Sequence, residues 1–303
     1  MARRPISVTV TRGKVVEAVH YAHAVAVDRN GRRVEAVGDP QLVTFFRSAA
    51  KPLQALPLVR VRTDLDEREI AIACASHLAD EAQLAAVRSL LAKAPAEEDE
   101  LECGPVGVPP ARINHNCSGK HAGMLALCRA RGWESAGYRL AEHPAQREML
   151  AEVAAATGLP REEIPTAVDG CGVTTFALPL DRMALAFARL QTFDGGEQLT
   201  EAMTAHPALI RGSGAADTTL MRTLAGWAAK GGAEGLLCAA SPDGVGIAVK
   251  VEDGASRATA PALATFLAGL GHDLPALARE TVHNSRGEPV GDISGVPPRS
   301  RRW

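Results

Sequence analysis

Aromatic side chains are scarce in this 303-residue sequence: they make up 4% of it, although hydrophobic residues as a whole reach 46%. So few rings leave no stacking platforms for bases, and a formal net charge of −2 leaves no basic field to hold a phosphate backbone. Nucleic-acid binding is not expected. No apolar run approaches the roughly 20 residues of a membrane-spanning helix. The opening Met-Ala-Arg-Arg-Pro-Ile-Ser-Val passes straight into strand-like alternation, with no apolar signal core. A soluble, cytoplasmic protein with no membrane partner is the expectation. In that reducing setting the six cysteines (74, 103, 117, 128, 171 and 238) should be free thiols rather than disulfides. A Gly-x-x-x-x-Gly-Lys-Ser/Thr phosphate loop, a dinucleotide fingerprint and a Gly-x-Ser-x-Gly elbow are also missing.

Lysine is the other scarce residue. Of 33 lysines and arginines only six are lysine, at 14, 51, 93, 120, 230 and 250. A chain that uses arginine as its generic cation keeps lysine where a removable proton is useful, because only lysine can deprotonate at accessible pH. Lys14, Lys93 and Lys230 read as ordinary surface residues. Lys51, Lys120 and Lys250 lie beside a serine, a cysteine or a glycine turn.

What is present reads as α+β. Residues 6–12 and 14–28 alternate as strands, and Asn30-Gly31 is a two-residue hairpin signal leading to a partner strand that ends at Val37. Val43 to Phe46 reads as a short strand before a buried helix that starts near Ser48. Helices are expected at 67–74, at 81–93 behind an Asp80 cap, and at 122–130, 144–157, 176–190, 197–205, 215–229 and 258–270. A hairpin at 236–240 and 245–251 and an extended segment near 290 complete the pattern. The expected architecture is a single catalytic domain over residues 1–303. Within it, a mainly antiparallel sheet comes from both chain ends (1–46 and 235–295), with a helical middle (47–234). The tail Arg299 to Trp303 is expected to be disordered.

Four residues stand out for chemistry. Ser48 and Lys51 are three apart, so a helix beginning here puts both on one face. A serine hydroxyl becomes a nucleophile when a neighbouring base takes its proton, and a lysine serves if its own pKa is lowered. An isolated Ser-x-x-Lys is ordinarily an N-cap serine with a solvated lysine. Here Ser76 and Lys250 follow. A serine with a lysine one turn on, a second serine and a late strand lysine form an order that resembles serine β-lactamases and penicillin-binding proteins. A second group gathers His115, Cys117, His121, Asp169 and Cys171. Thiolates with imidazole and carboxylate groups suit zinc, although neither segment has Cys-x-x-Cys or His-x-x-x-His spacing. Buried structural cysteines would give the same pattern.

The segments Arg47-Ser48-Ala49-Ala50-Lys51-Pro52, Cys74-Ala75-Ser76-His77, Asn116-Cys117-Ser118-Gly119-Lys120-His121-Ala122-Gly123-Met124 and Asp169-Gly170-Cys171-Gly172 occur in that order over most of the chain. Together they resemble the Rhizobium etli-type L-asparaginases. The resemblance implies hydrolysis of L-asparagine to L-aspartate and ammonia, on a fold related to serine β-lactamases and glutaminases. It implies Ser48 as nucleophile with Lys51 as its base, and Ser76 with Lys250 as a second pair. It also implies zinc on Cys117, Lys120 and Cys171, zinc not necessarily being essential for turnover. Arg47, His77, His121 and Asp169 would lie at the substrate, and the protein would be a homodimer. One departure is visible: where the family continues Ser-Gly-Glu after Ser-His, this chain has Leu78-Ala79-Asp80. A β-lactamase-like or peptidase activity, or a zinc- or amino-acid-binding module without catalysis, are the competing readings.

Overall fold

The computed structural model describes residues 4–297, so the tail from Arg299 onward lies outside them. The chain divides into two compact units. One comprises residues 4–44, 179–188 and 231–297, the other residues 45–178 and 189–230.

Strands follow the chain as β1 (Ile6–Arg12), β2 (Val15–Val27), β3 (Arg33–Val37), β4 (Val43–Phe45), β5 (Thr166–Val168) and β6 (Thr174–Pro179). Then come β7 (Ala228–Gly231), β8 (Leu236–Ala240), β9 (Gly246–Val251), β10 (Arg279–His283) and β11 (Pro289–Val296). The large sheet runs β10-β11-β1-β2-β9-β8-β7, with β3 added to β2. β1 pairs antiparallel with β2 on one side (Val8 opposite His20) and with β11 on the other (Val8 opposite Gly295). The two ends of the chain thus supply adjacent strands, as an α+β sheet read from both termini requires. Ile6, Val8 and Val10 face the core while Ser7, Thr9 and Thr11 face outward, the period-2 signature of a half-buried strand. At the β2–β3 hairpin the Asp28 carboxylate accepts from the N–H groups of Asn30 (3.0 Å) and Arg32 (2.9 Å), and Gly31 takes a φ of +81°.

The first unit also takes helix Leu180–Arg189 from the middle of the sequence. Its Ala184 carbonyl sits where a side chain on Gly246 of β9 would be, so only glycine allows that approach. The expectation of one helix over 176–190 fails at its start: Thr174-Thr175-Phe176 is β-branched and aromatic, and it pairs as strand β6 with β5 (Thr166 opposite Phe176).

In the second unit, helix Lys51–Val61 is enclosed on all sides, with Leu53, Leu56 and Leu58 as well as Lys51 and Gln54 buried. Helices Glu67–Ala73 and Glu81–Lys93 open with capping boxes, Asp66 with Glu69 and Asp80 with Gln83. Helix Ser118–Arg131 begins four residues before its apolar pattern. Gly119 is therefore not a turn glycine: a side chain there would collide with the Ile72 carbonyl, so it marks a close helix–helix approach. The helix expected over 215–229 stops at Thr223, and Gly226, at φ +75°, cannot continue it. The chain then re-forms as β7, which carries Lys230. Among the described residues no helix is long and apolar enough to cross a membrane, and all six cysteines are free and buried.

Candidate active site

The site residues lie in the second unit. Arg47–Ala50 forms a 3-10 turn that runs into helix Lys51–Val61. Arg47 holds a left-handed φ of +50°, a conformation that costs a non-glycine residue on the order of 1–3 kcal/mol. Two contacts over-determine it: its N–H donates to Thr175 Oγ1 (3.2 Å) and its Nε to Asp169 Oδ1 (2.7 Å). Ser48, next in sequence, is half-buried, and among the described residues its hydroxyl has no hydrogen-bond partner. Lys51, fully enclosed at 0% exposure, turns its amine elsewhere: Nζ donates to the Ala75 carbonyl and to Ser76 Oγ (3.0 Å).

Ser76 Oγ is the meeting point of two lysines, and the second is Lys230, whose Nζ lies 2.9 Å away. This corrects the surface reading of Lys230. Lys250 sits on β9 opposite His23, with its amine turned to the Val251 carbonyl among the charges of Glu234, Asp253 and Glu252. Lys230, read from the sequence as a surface residue, is completely buried. The reason is that the preceding helix ends at Thr223 and the chain turns at Gly226, so the Ala-Ala-Lys segment runs as a strand with an inward lysine. Lysine scarcity flagged Lys230, but its neighbours carried no serine or cysteine to single it out.

Burial controls the charges here. It lowers the Lys230 amine from 10.5 to about 7, helped by the charge of Lys51 and opposed by the buried carboxylate of Asp217. Burial likewise lowers Lys51, with Lys120 adding to the effect and thiolate charge at Cys117 and Cys171 opposing it. Two amines that burial lowers, Lys230 to about 7, therefore converge on one hydroxyl.

The segment after Ser76 is tied down by His77. Its Nδ1 accepts from the Ala79 N–H (3.1 Å), and Ser118 Oγ donates to the Ile113 carbonyl (2.8 Å), so His77 Nε2–H donates to Ser118 Oγ (2.8 Å). Burial, with the charge of Lys51, lowers His77 to about 4. Both ring nitrogens are committed, which leaves His77 none for a substrate; it holds the loop instead. In the departing Leu78-Ala79-Asp80 segment Ala79 sits at φ +61°, a left-handed position suited to glycine. Asp80 caps the next helix by accepting from the Gln83 N–H (2.8 Å).

The cysteine turns also come together. Cys117 Sγ meets Asn116 Oδ1 at 3.3 Å and interacts with Cys171, and Lys120 Nζ lies 3.2 Å from Cys171 Sγ, the two cysteines and the lysine being enclosed. The hydrogen bond with Cys171 holds Cys117 well below the usual thiol value, and the same bond raises Cys171. The pair thus releases one proton readily and keeps the other. Burial opposes charge on Lys120, but the cysteine pair and Asp169 outweigh it and raise its pKa. Among the described residues no group of three or more His, Cys, Asp or Glu side chains could hold a metal ion. What converges is two thiols and an amine, and Asp169 is joined to Arg47. His121, also enclosed, meets the Tyr138 hydroxyl through Nδ1 (2.7 Å). A cavity of about 330 Å³ lined by Glu102, Cys103, Gly104, Pro105, Arg112 and Arg139 borders this group, since the Arg139 stem packs against Gly172.

An α+β scaffold that buries two lysines on a serine, next to a thiol pair, has the equipment of a hydrolase. The chain belongs to the L-asparaginase II family, whose profile matches residues 8–295. It is an asparaginase-type amidohydrolase by that membership. No curated protein matches it. Besides the misread Lys230, two residues of this neighbourhood went unread in the sequence: Asp217, an acid on a short helix with nothing nearby to mark it, and Tyr138, one of only two tyrosines in the chain.

Proposed function

We propose that the protein hydrolyses the side-chain amide of L-asparagine to L-aspartate and ammonia through a serine acyl-enzyme. The observation that carries this reading is the convergence of Lys51 and Lys230 on Ser76 Oγ at 3.0 and 2.9 Å. Ser48 Oγ, the more accessible serine, attacks the carboxamide carbon while Lys51, as a neutral amine, takes its proton. That proton passes to the leaving nitrogen, ammonia departs, and an ester remains on Ser48. Water then attacks, again giving up a proton to Lys51, and aspartate is released. Ser76 links the two amines, so Lys230 can restore the protonation state of Lys51 between steps. Arg47, Asp169 and His121 would contact the amino acid.

Cys117, Lys120 and Cys171 would hold a zinc ion. Two soft thiolates and a nitrogen fit zinc, and three protein ligands leave a coordination position open. When bound, the metal would supply positive charge to orient or polarise the substrate. Because Lys120 and the thiols must lose protons first, uptake should release protons and tighten with rising pH. Cys117→Ser and Cys171→Ser variants that bind zinc as tightly as the parent would dismiss that ligand set.

A second reading makes Ser76 the nucleophile, since it holds both lysine contacts and Ser48 has none. Asparagine, glutamine and a chromogenic β-lactam, each offered to the parent protein and to Ser48→Ala, Lys51→Ala and Ser76→Ala variants, separate the possibilities. Ammonia from asparagine, lost in folded Ser48→Ala and Lys51→Ala proteins, is the expected result. Near-normal turnover by Ser48→Ala together with an acyl adduct on Ser76 would transfer the role. Ring opening would favour a β-lactamase-like enzyme, and silence with tight zinc binding a non-catalytic module. The implied homodimer is checked by the particle mass in solution.

A further inference from the structure

Tyr138 is wholly enclosed, and its hydroxyl sits between two groups. The Glu102 N–H donates to the oxygen at 2.7 Å, and His121 Nδ1 lies 2.7 Å away on the other side. A phenol has one proton to give. With the Glu102 amide already filling an acceptor position, the hydroxyl proton goes to His121 Nδ1, the one acceptor it meets among the described residues. The imidazole hydrogen then lies on Nε2. That Nε2 atom is buried and, among the described residues, has no partner.

A buried N–H without an acceptor is destabilising, so a ring fixed in this orientation implies an acceptor that arrives with a ligand. The charges acting on the ring are those of Lys120, Cys117, His115 and Lys51. Of these, the charge of Lys120 favours an anionic oxygen beside the ring, and thiolate charge at Cys117 opposes it. Resting on the amino-acid amidohydrolase reading above, we infer that Tyr138 is a positioning residue that holds His121 in its Nε2–H tautomer, and that this N–H donates to a carboxylate oxygen of the bound amino acid. His77 shows the contrast: there both ring nitrogens are satisfied within the protein.

The test uses aspartate, the reaction product, as a non-reacting carboxylate probe, with full-length protein labelled with nitrogen-15 in histidine. The expected free-state spectrum shows His121 protonated on Nε2 alone, and aspartate shifts that resonance. Tyr138→Phe should lose the single tautomer and weaken aspartate binding about tenfold, the value of one hydrogen bond to a charged group. His121→Leu should weaken it at least as much, whereas His121→Gln, which retains an N–H donor, should stay within about threefold of the parent. A free-state proton on Nδ1, or an Nε2–H signal unmoved by bound aspartate, overturns the inference even if Tyr138→Phe fails to fold. Absence of any aspartate binding would instead count against the amino-acid reading on which it rests.

Discussion

Replacing Lys230 with methionine tests whether burial, rather than proximity alone, prepares the site. Burial lowers this amine from 10.5 to about 7. Between those values the unfolded chain carries a proton that the folded protein has released. The unfolded state therefore binds more protons, and stability rises with pH at about 1.4 kcal/mol per pH unit for this one group. The stability is complete above 10.5 and is lost as pH falls to about 7, roughly 5 kcal/mol over the whole window. Urea unfolding of parent and Lys230→Met at about pH 7.5 and about pH 9.5 isolates the effect, because the variant lacks the amine's interactions with Ser76 and Asp217 at both pH values alike. The parent should gain on the variant by up to about 3 kcal/mol between them. Ammonia release by the parent should climb as pH rises through about 7, and the variant should lose activity at every pH. Parallel stability profiles for the two proteins would refute the argument, since they would mean that Lys230 keeps its proton in the folded state.

Other consequences are smaller and local. Gly119→Ala drives a methyl group into the Ile72 carbonyl and should cost about 1–3 kcal/mol by urea unfolding, although alanine is the better helix former. Ala79→Gly removes a left-handed alanine and should stabilise the protein by about 1 kcal/mol; a loss of stability would show that the segment is not strained. Asp80→Ala removes the cap of the helix that follows it and should cost about 1 kcal/mol by the same measurement.

The parts of the site that could be read in advance are those with local signatures. The Ser48–Lys51 spacing, the Asp80 cap and the glycine-flanked Cys171 turn each lie within a few residues of sequence, and the structure brings Cys117, Lys120 and Cys171 together. The strands at 6–12, 15–27 and 236–251 carry their own alternation or turn residues, so their antiparallel arrangement was legible too. Lys230 was not. Apolar spacing over 215–229 suits a helix, and nothing local announces that Gly226 ends it and sends the next segment into a strand. Lys250, by contrast, had a convincing strand context and no means of showing where its amine would turn.

By itself the sequence determined the α+β class, the free cysteines and the supply of serines, lysines and thiols from which an amidohydrolase could be assembled. These follow from periodicity and residue chemistry, which are properties of the chain. Tertiary structure decided which lysine reaches Ser76, that Lys51 donates to Ser76, and that His77 is spent on its own loop while His121 keeps a donor. Those outcomes depend on the direction of a side chain and on how much water is excluded around it, and both are set by residues distant in sequence.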